Sequence, residues 1–382
     1  MIPLCVPHLD GNEWQYVKNC LDTGWISSAG AYVQQFESMV ADFTGARHAV
    51  ACMNGTAGLH LSLHTMGVGT GMHVLVPNLT FVASLNAIQY TGASPILIDI
   101  DQQAWQMDLG LLERFLAEET DAGDPYPIYR KTGLPIRAIM PVHVLGNMGD
   151  MNRLVDIANK FHLDIVEDTT EALGSSFEGK HAGTFGKMGV FSFNGNKLIS
   201  TGGGGMIITD DPELAAKAKH LSTQAKISPT EYIHDEVGFN YRLVNVLAAI
   251  GVAQMEQLPH FLEKKQTIAQ MYRERLVAIP SIRFQEVDPR VKSNEWLFTI
   301  RVQRATELIK HLDTQGIQAR SFWRPMNQLP MFAGLPYIHE GNVSQAVYET
   351  AVSIPCSVGL TPLDQEKVIQ EILHFYESEG LS

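Results

Sequence analysis

From about residue 30 to residue 250, short apolar runs alternate with stretches of helical periodicity, and this alternation constrains the fold more than any other feature of the chain. A short apolar run reads as a buried strand, and a helix between successive strands lets the next strand run parallel. The pattern predicts an α/β fold built on a large, mostly parallel sheet with helices on both faces. Residues 49–53, 73–77, 94–100, 136–144, 163–166 and 190–193 are the expected strands. Beyond about residue 258 the elements become shorter, with an expected strand over 295–302 and expected helices over 305–315, 344–353 and 362–378. The chain is therefore read as a large domain over 1–257 and a smaller C-terminal α/β domain over 258–382.

Open α/β sheets bind ligands at the carboxyl ends of their strands. Asp168 follows the run 163–166, and Lys197 follows the run 190–193 and an Asn194-Gly195-Asn196 turn. Taken singly, an Asp at a strand end reads as a helix cap and a Lys as a solvated charge. Together, on neighbouring strand ends, they are the two groups a pyridoxal phosphate site needs. A lysine amine binds that cofactor covalently, and an acid keeps its ring nitrogen protonated so the ring can take up electrons. Upstream, the expected strand 49–53 leads into Asn54-Gly55-Thr56-Ala57 and a helix over 58–66. Free backbone N–H groups and the positive end of the helix dipole make such a turn an anion site. The turn lacks both the Lys-Ser/Thr of a nucleotide phosphate loop and a G-x-G-x-x-G, so neither ATP nor NAD is indicated.

Composition excludes other classes. The net charge of −13 argues against general nucleic-acid or anionic-membrane binding. No apolar run approaches the ~20 residues of a membrane helix. The four cysteines, Cys5, Cys20, Cys52 and Cys356, show no C-x-x-C spacing and read as reduced thiols of a cytoplasmic protein. The amino terminus does not read as a signal peptide. Asp99 and Asp101 have no neighbouring histidine cluster, so they read as turn residues and no metal is expected. Residues 118–133 read as a surface insertion and 224–236 as a polar, mobile loop.

The central stretch carries Glu167-Asp168, Glu171-Ala172, Gly174, Gly183-Thr184-Phe185-Gly186, Phe191-Ser192-Phe193, Lys197, Gly202 to Met206 and Thr209-Asp210. In this order they resemble the DegT/DnrJ/EryC1/StrS family of sugar-nucleotide aminotransferases, and the resemblance spans nearly the whole chain. Thr170 stands where the family usually has Ala, and Glu171 where Gln is common. The resemblance implies the type I pyridoxal phosphate-dependent aminotransferase fold. It makes Lys197 and Asp168 the catalytic residues. It assigns Gly55, Thr56 and Ser192 to the cofactor phosphate, Phe81 to stacking on the ring, and Glu171 to the cofactor's surroundings. Asn240, in Gly238-Phe239-Asn240-Tyr241-Arg242, would reach the phosphate of a second subunit, which implies a homodimer with shared sites. Trp25, in Gly24-Trp25-Ile26-Ser27-Ser28, together with His143 and Arg242, are the candidate substrate residues. Arg320 to Pro325 matches only loosely.

The expected reaction moves an amino group from L-glutamate, through pyridoxamine 5'-phosphate, to a keto-deoxy sugar nucleotide. The wording around Asn194-Gly195-Asn196-Lys197 looks most like enzymes aminating C4 of a UDP-4-keto-6-deoxy-N-acetylhexosamine, on the way to legionaminic-type surface polysaccharide sugars. GDP- or dTDP-linked keto sugars, and C3 amination, are the alternatives. Related dehydratases replace the lysine with His, which Lys197 argues against. A regulatory or scaffold protein retaining the fold is the non-enzymatic alternative.

Overall fold

The computed structural model describes residues 1–228 and 230–378. Residue 229, within the expected 224–236 loop, and residues 379–382 lie outside it. A ten-stranded sheet organises the chain. Its main strands are β1 (His48–Cys52), β2 (His73–Pro77), β3 (Ser94–Ile98), β4 (Leu134–Ile139), β5 (Asp164–Asp168), β6 (Met188–Ser192) and β7 (Gly205–Thr209). Their order across the sheet is β1-β7-β6-β5-β4-β2-β3, and the short strand Tyr337–Ile338 adds to the β3 edge. Neighbours from β6 to β3 run parallel. β7 runs antiparallel to both β6 and β1.

Helices cover both faces: α1 (Glu13–Thr23), α2 (Ala31–Thr44), α3 (Gly55–Thr65), α4 (Ala83–Tyr90), α5 (Leu109–Glu118), α6 (Met151–Lys160), α7 (Pro212–Ser222) and α8 (Asn245–Leu276). The two-residue period of a strand divides the apolar load. Val74 and Val76 of β2 pack in one cluster with Leu59, Leu61 and Leu63 of α3, while Leu75 packs with α5 and α6 on the other face. Each fully buried Leu, Ile or Val is worth about 1.5–3 kcal/mol. α6 shows how such a helix is specified. Asp150 caps it by accepting from the Arg153 N–H, and Met151, Leu154, Ile157 and Ala158 form its buried stripe. α3 differs: Ala57 to Leu63 are all buried, polar His60 and Ser62 included, because it lies between the sheet and the helices α4 and α7.

A second, four-stranded antiparallel sheet combines Arg283–Phe284, Phe298–Arg301, Ala351–Ile354 and Arg320–Ser321. Its core also takes in Ile2 and the last turns of α8. The expected boundary at 257/258 therefore falls inside one continuous helix, and the amino terminus packs with the C-terminal elements. Two local expectations are corrected. Residues 118–133 include a hairpin, Thr120–Asp121 with Ile128–Tyr129, which adds onto β4. The expected helix 344–353 ends at Thr350, and Ala351–Ile354 is a central strand of the second sheet. No helix among the described residues is long and apolar enough to cross a membrane.

Candidate active site

The sheet order brings separate parts of the chain to one end. β5 ends at Asp168 and β6 at Ser192, while β7 begins at Gly205, in register with both Ser192 and Cys52, the last residue of β1. α3 starts just beyond Cys52, at Gly55 rather than Gly58. The Asn54 side chain accepts from the Ala57 N–H at 2.8 Å. The N–H groups of Gly55 and Thr56 belong to the first turn, which has no intrahelical acceptors, and they face the helix's positive end. A Cβ on Gly55 would stand 2.9 Å from Ser192 Cβ and 3.0 Å from Thr170 Cγ2, so only glycine lets α3 approach the ends of β5 and β6 this closely.

Asp168 is 3% exposed. Its Oδ2 accepts from Ser84 Oγ at 2.7 Å and its Oδ1 from the Thr170 N–H at 3.2 Å. A carboxylate has about four acceptor positions, so Asp168 retains capacity for a further N–H donor. Lys197 follows the Asn194 turn, where its N–H donates to Asn194 O at 3.0 Å. Its side chain is 14% exposed, and its Nζ lies 3.6 Å from Glu171 Oε1 and 4.0 Å from the centre of the Trp296 ring. Glu171 is buried, and its Oε2 accepts from the Leu145 N–H at 2.8 Å. Burial pushes the Glu171 carboxyl up to about 7, with Asp168 adding to the rise and Lys197 and the Leu145 N–H opposing it.

Phe81, just before α4, is 54% exposed, with its ring centre 6.3 Å from that of Trp323. Asn240 is exposed, on a segment that runs beside the end of β1, where Tyr241 O accepts from the Met53 N–H at 2.8 Å. The Lys197, Asp168, Glu171, Ser192, Gly55 and Thr56 positions thus form one group at the strand ends.

The side chains of the three candidate substrate residues make other contacts. His143 is 1% exposed, and its Nε2 donates to Glu167 Oε2 at 2.9 Å. Neighbouring residues of a strand face opposite ways, so this pairing turns His143 away from the Asp168 carboxylate. Burial raises the Glu167 carboxyl, but His143 and the Gly186 and Gly183 N–H groups outweigh it and hold the pKa below the usual value. Arg242 ties α2 to β1: its Nη1 donates to Glu37 Oε1 at 2.5 Å and to Ala51 O at 3.1 Å. The Nη1 end of the guanidinium is engaged in this buried pair, a structural role that the sequence did not predict. Trp25 is 59% exposed, and its carbonyl accepts from Asn245 Nδ2 at 2.7 Å at the start of α8. Among the described residues, no hydrogen bond joins it to the Asp168–Lys197 group.

Sequence reasoning missed Ser84, Leu145, Asn294 and Trp296. Ser84 stands three residues after Phe81, and an Oγ about one helical turn from that aromatic was its available signal. The Trp296 indole reaches Lys197 from the start of the second sheet, and nothing local marks it.

The donor set fits a phosphorylated pyridine aldehyde. It offers an amine, a carboxylate with spare acceptor capacity, and a glycine-cleared helix N-terminus beside a serine hydroxyl. Known proteins match throughout. The DegT/DnrJ/EryC1/StrS aminotransferase family profile matches residues 7–373. GDP-perosamine synthase of Caulobacter vibrioides is 37% identical over 96% of this chain and 96% of its own. GDP-perosamine synthase of Escherichia coli O157:H7 is 35% identical over 99% of each. The crystal structure of S. venezuelae DesV, in complex with a ketimine intermediate, superposes with a TM-score of 0.87 at 28% identity, over 96% of this chain and 94% of its own. The chain belongs to the DegT/DnrJ/EryC1/StrS aminotransferase family.

Proposed function

We propose that this pyridoxal 5'-phosphate-dependent aminotransferase takes its amino group from L-glutamate and delivers it to C4 of a GDP-linked keto-deoxy sugar. The Lys197 amine, beside Glu171 and on the strand-end group that holds Asp168, carries the reading of the chemistry. The GDP-perosamine synthases among its relatives support the nucleotide. The wording of the Lys197 turn favours a second substrate, a UDP-4-keto-6-deoxy-N-acetylhexosamine. Either product suits surface polysaccharide biosynthesis in the cytoplasm.

Bound pyridoxal 5'-phosphate supplies an electron-accepting ring that lets a proton leave the carbon next to nitrogen. Lys197 holds it covalently at rest, and once displaced its Nζ takes and returns the proton. Asp168 keeps a positive charge on the ring nitrogen, and Ser84 and the Thr170 N–H fix the carboxylate for that task. The N–H groups of Gly55 and Thr56 and the Ser192 hydroxyl hold the phosphate, and Phe81 covers the ring. Glu171 steadies the displaced Lys197 ammonium while ionised.

The working unit is a homodimer, in which Asn240 of each chain donates its amide to the other chain's cofactor phosphate. Its exposed position beside the start of α3 supports this. A visible spectrum with and without L-glutamate tests the donor: absorbance near ~400 nm that falls on addition supports it. Keto sugar nucleotides offered next identify the acceptor by restoring that band. Restoration by the UDP sugar and not the GDP sugar reverses the choice of nucleotide. Absorbance indifferent to L-glutamate overturns the donor and favours a regulatory role.

A further inference from the structure

The segment from Asn294 to Trp296 enters the site from the second sheet and touches the chain on both sides of the reacting amine. Asn294 Nδ2 donates to Glu171 O at 2.8 Å and to Leu173 O at 2.9 Å, and its Oδ1 accepts from the Trp296 N–H at 3.0 Å. Trp296 Nε1 donates to Asn196 O at 2.7 Å, on the residue next to Lys197. The face of the same indole lies 4.0 Å below Lys197 Nζ, where the ring's negative face attracts an ammonium. The segment is itself anchored. The buried Lys265 Nζ donates to Trp296 O at 2.7 Å and to Cys356 O at 2.6 Å. Trp323 stacks against Trp296, with ring centres 6.5 Å apart at 27°. Gly146 has positive φ, and a Cβ there would overlap Asn294 Oδ1, so the backbone is cleared for this approach.

We propose that Trp296 is a positioning residue for Lys197: its indole face holds the free amine and its N–H holds the turn that carries it. An ordinary lysine side chain on a solvent-facing turn samples many rotamers. Here one indole fixes both ends of the lever, the backbone at Asn196 and the tip at Nζ. The amine, when released, is parked beside Glu171 rather than lost to solvent. The segment also links the second sheet to the strand ends of the first, so the position of the amine depends on how the C-terminal elements dock.

This rests on reading Lys197 as the reacting amine, and full activity in Lys197→Ala would remove that premise without touching the comparison below. Two variants separate the contacts: Trp296→Phe keeps a ring face and loses the N–H, and Trp296→Met keeps bulk and loses both. Full-length enzyme freed of cofactor is treated with an amine-acylating ester, and modification of Lys197 is followed by peptide mass spectrometry against the exposed Lys160. Lys197 is expected to react ~5-fold faster in Trp296→Met and ~2-fold faster in Trp296→Phe than in the parent. In the holoenzyme kcat is expected to fall ~10-fold or more in Trp296→Met with KM for L-glutamate within ~3-fold, and less in Trp296→Phe. Equal labelling in all three proteins overturns the proposal. So does a kcat loss that follows the melting temperature while the labelling stays fixed. If Trp296→Met does not fold, Trp296→Leu, which also lacks both the ring face and the N–H, decides: labelling at the parent's rate with unchanged kcat overturns the proposal.

Discussion

The strand-end group and the outer rim of the site are built on opposite terms. Asp168, Glu171 and Lys197 are held by partners within the chain: Ser84, the Leu145 N–H, the Asn194 carbonyl and the Trp296 ring. Phe81, Asn240 and Met53 are exposed. The first group is prepared before any ligand arrives, which is what electrostatic and positional catalysis requires. The second leaves apolar surface and a polar amide open, which the proposed cofactor, substrate and second copy would cover. Damage to the first group should therefore be read in rates, and damage to the rim in affinities.

The largest expected effect lies in the inner group. Lys197→Ala should lower turnover by ~10³-fold or more, because its Nζ, beside Glu171 on the strand-end group, is the amine placed to move the proton. Single-turnover kinetics with L-glutamate checks this, and turnover within tenfold of the parent would break the division. Next comes a residue the inner group borrows for architecture alone. Arg242→Ala leaves the buried Glu37 carboxylate without its guanidinium and should cost about 3–5 kcal/mol of stability. Chemical denaturation reads it, and enzyme that remains folded should keep its kcat.

Glu171→Gln tests the electrostatics. Its carboxyl sits at about 7 in the fold against an ordinary 4.5. A raised acid stabilises the fold fully below pH 4.5 and loses that contribution as pH rises through about 7. The variant should lack this decline, gaining about 1–3 kcal/mol over the parent at pH 8 relative to pH 4. Melting curves at both pH values measure it. The parent's half-reaction rate should also change across pH 7, where the ionised Glu171 begins to hold the Lys197 ammonium, and the Gln variant should show no such step. The smallest effect belongs to the rim. Asn240→Ala should leave stability within about 0.5 kcal/mol, as exposed sites do, while cofactor affinity falls ~3–10-fold. Cofactor titration followed by absorbance separates the two.

The inner group was legible because its chemistry is contiguous: Glu167 to Lys197 holds an acid, a hydroxyl and an amine on adjacent strand ends. The alternation of apolar runs likewise predicted the sheet. What stayed hidden depends on partners distant in sequence. Arg242 reads as a site arginine until Glu37 is seen beside it, and His143 as a substrate histidine until Glu167 takes its Nε2. Trp296 reads as an ordinary apolar residue of a strand, and only the docking of the second sheet brings it under Lys197. Residues 351–354 failed for a different reason. A short apolar run after a helix has no period long enough to tell helix from strand.

The antiparallel entry of β7 has a consequence for how the protein is made. Among the described residues β1 lies at the sheet's edge, pairing along its length with β7, far along the chain, and bridging to Arg242 only at Cys52. The phosphate-side turn after β1 is therefore unsupported while the intervening strands assemble, and contacts so remote in sequence form late. A chain emerging from the ribosome would complete its parallel strands first and gain a firm anion cradle only once Gly205 to Thr209 had slotted between its neighbours. On the proposed reading of that turn, a chain lacking Gly205 to Thr209 is expected to hold the cofactor phosphate poorly.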